Sequence, residues 1–172
     1  TFAPMLDVSR DARWGRIMEG AGEDTYLNTV IGVARVQGFQ GTDLSKTYTI
    51  AACAKHFAGY GFGEAGRDYN TVNVGENELH NAILPPFKAA AQAGVATFMN
   101  SFNEIDGVPA TGSHMLQRDI LKGDWNWDGF MVSDWGSIGE MIAHGYAKDK
   151  KHAAQIALNA GSDMDMESYA YE

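Results

Sequence analysis

The chain carries a single cysteine, Cys53, among its 172 residues. One cysteine excludes an internal disulfide and a cysteine-built zinc site, and its place in an apolar run marks it as a small core residue. Basic charge is scarce as well. Lys and Arg number 13 against 22 Asp and Glu, a formal net charge of −9. No basic run or patch occurs, so nucleic acid is not an expected partner. Long hydrophobic runs are missing too: no stretch approaches the ~20 apolar residues that cross a bilayer. Thr1-Phe2-Ala3-Pro4 has neither the basic start nor the apolar core of a signal peptide. It does not begin with methionine, so the chain is expected to start inside a longer protein. His80, His114, His144 and His152 are scattered without metal-ligand spacing, so neither a metal nor another cofactor is expected.

What is present is an alternation of strand and helix signals. Hydrophobic side chains make up 45% of the chain, enough for a real core. Phe2 to Val8, Tyr48 to Ala54, Val95 to Met99, Phe130 to Val132 and Ser162 to Met166 read as strands. Between them lie helical patterns. The first opens at Glu23-Asp24-Thr25, repeats Leu27, Val30, Ile31 and Ala34, and ends at Gly38 and Gly41. The next runs from Asn77 to Ala93, broken at Pro85-Pro86. Others cover His114 to Lys122, capped by Ser113, then Ser137 to His144 and Lys150 to Asn159. Strict alternation of this kind predicts a βαβ series and a parallel sheet. About five consecutive βα units are too few for a closed (β/α)8 TIM-type barrel, which takes roughly 250 residues. The fold class expected is therefore α/β, a partial barrel or an open sheet.

Polar residues gather where each strand ends: Asp7, Lys55 and His56, Asn100, Asp134, Asp165. In α/β barrels those tips hold the reactive groups. Phe130-Met131-Val132 followed by Ser133-Asp134-Trp135-Gly136 is the centre of this pattern. Asp134 is either a functional carboxylate or the N-cap of the helix that follows. The loop Gly59 to Gly66 is too long and too polar for a plain connector. A polyhydroxyl ligand needs planar donors and acceptors and an aromatic face; Arg16, Lys55, His56 and Asp134 supply the former, Trp135 the latter. Glycosidic hydrolysis needs one protonated and one charged carboxyl group, and a cation such as Lys55 or Arg16 would hold Asp134 charged. Met99, at a strand end, lines such a pocket or belongs to the core. Arg10, Asp11, Arg13 and Glu19 read as an ion-pair network around the first loop. Trp14, Trp125 and Trp127 read as packing.

Several segments, in order, resemble glycoside hydrolase family 3. They are Phe2 to Arg16 with Glu19 to Asp24, Ala54-Lys55-His56-Phe57-Ala58, Leu84-Pro85-Pro86-Phe87-Lys88, Gly129 to Gly136, and Ala160 to Met166. The resemblance implies that residues 1–172 are a portion of the family's N-terminal barrel domain, with its second, α/β sandwich domain absent. It implies that Asp134 is the nucleophile of a retaining, exo-acting β-glucosidase, forming a covalent glycosyl-enzyme. Arg16, Lys55 and His56 would hold the innermost sugar, with Trp135 against it. The acid/base would come from a glutamate of the second domain; Glu64, Glu104 and Glu140 match no such role. A periplasmic or secreted location is the family's analogy. Many relatives have tyrosine where Phe102 stands. The loop histidine of the family's N-acetylhexosaminidases is missing from Ala58-Gly59-Tyr60-Gly61, which favours glucosidase chemistry.

Two other classes fit parts of the pattern. A barrel lyase or aldolase would use Lys55 as a Schiff-base amine. A non-catalytic carbohydrate-binding domain would keep the pocket without turnover.

Overall fold

A computed structural model describes residues 1–172. The central sheet is parallel. Strand β1 (Cys53–Phe57) pairs with β2 (Thr97–Asn100), and β2 pairs with β5 (Phe130–Val132). The short strands β3 (Glu104–Ile105) and β4 (Val108–Pro109) form a separate antiparallel hairpin. Single parallel bridges extend the sheet at both edges, Met5 to Lys55 and Val132 to Met164. The strand segments thus lie side by side in chain order, as the staves of a barrel do. Closure into a barrel is not seen, and the first and last of the expected strands are single bridges.

Five α-helices accompany the strands. They are α1 (Thr25–Gln40), α2 (Glu76–Glu78), α3 (Pro85–Gln92), α4 (Ser137–Ala143) and α5 (Lys150–Ala160). Leu79–Ile83 and Met115–Asp124 have the wider π-type winding, as in the Trp125 N–H to Ile120 C=O bond of 2.9 Å. The prolines stand at the first positions of α3, as expected. Ser113 accepts the Leu116 N–H at 3.2 Å and so caps the Met115–Asp124 helix. None of the helices is long and apolar enough to cross a membrane.

The sheet register explains the core. Ala54, Phe98 and Met131 are register partners across the sheet, and all three are buried in the main hydrophobic cluster. Phe57 meets Phe87, Phe98 and Trp125 edge-on at 5.4–5.9 Å. Each such buried aromatic stabilises by about 2–3 kcal/mol. On the opposite face Cys53, Met99 and Val132 form a small cluster, with Met166 packed against it. Trp127 fills the main core and donates its indole N–H to Val95 C=O at 2.9 Å.

Three sequence expectations need correction. The second strand begins at Cys53, not Tyr48, because Tyr48 and Ile50 are exposed in the turn that leaves α1. Lys55 and His56 are therefore inside the strand, not just beyond it. Helix α1 buries Asn28, Gly32, Val36 and Gln40, whereas Leu27 and Val30 are exposed. The buried stripe is chosen by close approach and polar ties. A Cβ at residue 32 would press on the Leu6 side chain, and Gln40 receives the Ala52 and Ala96 N–H groups at 3.1 and 2.8 Å. The β3–β4 hairpin was not anticipated, although its turn is Asp106-Gly107, both at positive φ, a known hairpin signal.

Candidate active site

Asp134 stands two residues beyond the end of β5. It does not cap α4: the N-cap is Gly136, at φ 70°, without a side-chain cap. The Asp134 carboxylate is free for other work. Its Oδ1 accepts the Trp135 N–H at 2.7 Å, while Oδ2 is buried without a hydrogen-bond partner. Burial pushes the Asp134 carboxyl above the usual carboxylate range, against the pull of His56, the Trp135 N–H, Lys55 and Arg16.

His56 lies between two carboxylates. Its Nδ1 is 2.8 Å from Asp7 Oδ2, and the same oxygen accepts the His56 backbone N–H at 2.9 Å. Its Nε2 is 3.4 Å from Asp134 Oδ2, close enough for attraction but not aligned as a hydrogen bond. Asp7 is 1% exposed and His56 is fully buried. The imidazole also meets Tyr60 edge-on at 5.1 Å.

Lys55 is half-buried and borders a cavity of ≈ 210 Å³ with Met5, Glu19 and Arg35. Arg16 is clamped by Glu19 through two contacts, Nε–Oε1 at 2.6 Å and Nη2–Oε2 at 2.8 Å. The Glu19 carboxylate raises the guanidinium pKa, and the guanidinium in turn lowers that of Glu19. The Arg16 head group stands 5.5 Å from the Tyr60 ring centroid. Of Arg16, His56 and Lys55, His56 approaches Asp134 directly, while Lys55 and Arg16 are near enough for their charges to act on its carboxyl. In the rest of the first loop Arg13 pairs with Asp11 at 2.6 Å, as expected, while Arg10 reaches outside the loop to Glu64 at 3.3 Å.

Trp135 is 63% exposed, a free aromatic face beside the carboxylate. Met99 is 2% exposed, packed under the site with Cys53 and Val132. Trp14, read as packing, is buried against Tyr60 and donates its indole N–H to Asp68 Oδ1 at 3.1 Å. Phe102 joins the same aromatic wall, edge-on to Tyr69 at 4.5 Å. Glu140 is half-buried on α4, its carboxyl raised by burial and then by the Asp134 charge.

Sequence reasoning missed two supports. One is the tie of Asp7 to His56, although Asp7 had been noted at its strand end. The other is a buried polar network behind Asp134. Asn100 Oδ1 accepts from the Asp134 N–H at 3.3 Å and from Thr111 Oγ1 at 2.9 Å. Asn100 Nδ2 donates to Ser162 Oγ at 2.8 Å. The signal was Asn100 itself, an amide at the end of an otherwise apolar strand.

Fold and site together define a stretch of TIM-barrel-like α/β domain with a buried carboxylate just past one strand and a buried histidine of a neighbouring strand unit beside it. The chain belongs to glycosyl hydrolase family 3: the description of that family's N-terminal domain matches residues 1–171. It is 45% identical over 171 residues to a periplasmic β-glucosidase of Salmonella typhimurium, covering 99% of this chain and 22% of that protein. A β-xylosidase of Formosa agariphila is 39% identical, over 96% of this chain and 24% of the relative. The crystal structure of a β-glucosidase from Listeria innocua in complex with glucose superposes with a TM-score of 0.97 at 49% identity, covering 99% of this chain and 24% of that one. The chain thus spans under a quarter of the length of these relatives.

Proposed function

We propose that the protein containing this chain is a retaining, exo-acting β-glucosidase, releasing terminal non-reducing β-D-glucosyl residues. Asp134 is the nucleophile. It attacks the anomeric carbon, the aglycone leaves, and water then hydrolyses the covalent glycosyl-enzyme with net retention. Arg16, Lys55 and His56 bind the hydroxyls of the innermost sugar. Trp135 lies along its C–H face, and Met99 forms part of the floor beneath. The chain is a portion of one barrel domain, about five βα units of it. The remaining units and a second α/β sandwich domain complete the site, and that domain supplies the proton donor. A periplasmic or secreted location goes with this reading.

One observation carries the proposal: a buried carboxylate oxygen, Asp134 Oδ2, with no protein partner and a histidine facing it. Asp7 Oδ1 is orphaned too, but Asp134 Oδ2 is the one that has an equally unpartnered ring nitrogen opposite it. Family membership favours this chemistry over a Schiff base at Lys55 or binding without turnover. The β-xylosidases among the relatives keep a pentose substrate in view.

The test is a 2-deoxy-2-fluoro-glucoside trap on the full-length protein, followed by peptide mapping. A single label on Asp134 is the expected result, and a label elsewhere overturns the assignment. Borohydride reduction with a carbonyl substrate should leave Lys55 unmodified. Comparing aryl β-glucoside with aryl β-xyloside decides the sugar.

A further inference from the structure

We propose that Tyr60 is a positioning residue for Arg16: its ring sets the tilt of the guanidinium and so the affinity for the innermost sugar. The inference rests on the reading of Arg16 as a sugar ligand and adds a residue to it. Glu19 holds Arg16 through Nε and Nη2, at 2.6 and 2.8 Å. Two contacts to one carboxylate fix the guanidinium within its own plane. They leave it able to hinge about the line through the two carboxylate oxygens. The pair is also open to solvent, its side chains 25% and 39% exposed, so it is a weak brace by itself. Arg16 Cζ lies over the Tyr60 ring, 5.5 Å from its centroid, where the negative ring face attracts a cation. This second contact, on a different partner, stops the hinge. Nη1 takes no part in the Glu19 fork and is the nitrogen left for a sugar hydroxyl.

A group that positions another must itself be fixed. Tyr60 is 2% exposed and belongs to a buried cluster with Met5, Trp14 and Phe102. Trp14 meets its ring edge-on at 5.1 Å, and Tyr69 stacks on it at 6.0 Å. Its turn is pinned as well: the neighbouring Gly61 lies so close to the Val8 carbonyl that a Cβ would collide with it. The Tyr60 hydroxyl is buried and forms no hydrogen bond, so the residue acts through its ring. The same ring meets the His56 imidazole at 5.1 Å. One rigid ring thus stands against two of the proposed sugar ligands, and it is the long Gly59 to Gly66 loop that delivers it.

The test is steady-state kinetics of the full-length protein on an aryl β-glucoside. Tyr60→Leu removes the ring, and KM should rise about tenfold with kcat changed less. Tyr60→Phe restores the ring and should bring KM back to within about twofold of the wild type. In an Arg16→Met background, Tyr60→Leu should add less than about twofold, since both changes act through one guanidinium. A wild-type KM in Tyr60→Leu, or a full further rise in the Arg16→Met background, overturns the proposal. Should Tyr60→Leu fail to fold, phenylalanines bearing one to three ring fluorines at position 60 decide. They keep the shape and weaken the negative ring face step by step, so KM should climb with each fluorine while Arg16 is present and stay flat in Arg16→Met. A flat series with Arg16 present refutes the positioning role. An Arg16→Met variant with unchanged KM defeats the reading of Arg16 as a sugar ligand and this proposal with it. An effect of Arg16→Met without one of Tyr60 defeats this proposal alone.

Discussion

His56 Nε2 and Asp134 Oδ2 face each other at 3.4 Å, each without any other protein partner. Folding has brought together two polar atoms that an ordinary core would have satisfied. They come from different βα units, β1 and the end of β5, joined through β2 between them. The arrangement stores unfavourable free energy that a ligand oxygen entering between the two atoms can release.

That stored energy should be visible in stability. The Asp134 carboxyl is raised above its ordinary value of 3.8, chiefly by burial. The native state then binds this proton more tightly than the unfolded chain does. Stability from this group is full below the ordinary carboxylate range and is lost as pH rises through the raised value. Asp134→Asn has no such loss. The variant should match the wild type in acid and exceed it at neutral pH by about 1 kcal/mol, read as denaturation midpoints of the full-length protein at several pH values. Its hydrolytic rate should fall on the order of 10⁴-fold. The same shift places the acid limb of the wild-type pH–rate profile above the usual carboxylate range.

Much of this was readable from the chain. Strand–helix alternation predicts a parallel sheet because each apolar run needs a covering helix. The strand-end pattern pointed to Asp134, just past β5, but placed Lys55 and His56 beyond a strand that in fact contains them. The buried face of α1 was not readable. There Gly32 and Gln40 win over Leu27 and Val30 through contacts with Leu6, Ala52 and Ala96, which are remote in sequence. The Asp7–His56 tie spans 49 residues and leaves no local periodicity.

Asn100 should prove essential to the frame. Its amide joins the Asp134 backbone to Thr111 and Ser162 inside the protein. Asn100→Leu keeps the volume but orphans the Asp134 N–H and weakens the network. We expect a loss of about 3 kcal/mol and at least a tenfold fall in kcat, measured by denaturation and by steady-state kinetics. Thr111→Val should cost less, because Asn100 keeps its other partners.

Glu19 should act chiefly on Arg16. The pair is partly exposed, so its removal costs little stability, within about 1 kcal/mol. Glu19→Gln loosens the guanidinium, which then points less well at a sugar hydroxyl. KM for an aryl glucoside should rise roughly tenfold with kcat changed less, the pattern of lost uniform binding. An unchanged KM would separate Arg16 from the sugar.

Gly61 tests how the long loop builds the site. A Cβ there would collide with the Val8 carbonyl, which is backbone and cannot swing away. The Gly61 C=O also accepts the Arg10 N–H at 2.9 Å, so the loop and the first strand end are joined at this point. Next to it Tyr60 packs on His56 and Trp14 and sits under Arg16. Gly61→Ala must push the two segments apart, and Asp7, adjacent to Val8, moves with them. The expected outcome is a destabilisation of about 2–3 kcal/mol with a fall in kcat that tracks the loss of the Asp7–His56 contact. Gly75→Ala is the control. Its Cβ meets nothing within 4 Å and its φ of −77° suits any residue. It should leave the rate unchanged and change stability by less than about 0.5 kcal/mol, the unfolded-state gain being offset by the poorer N-cap of α2.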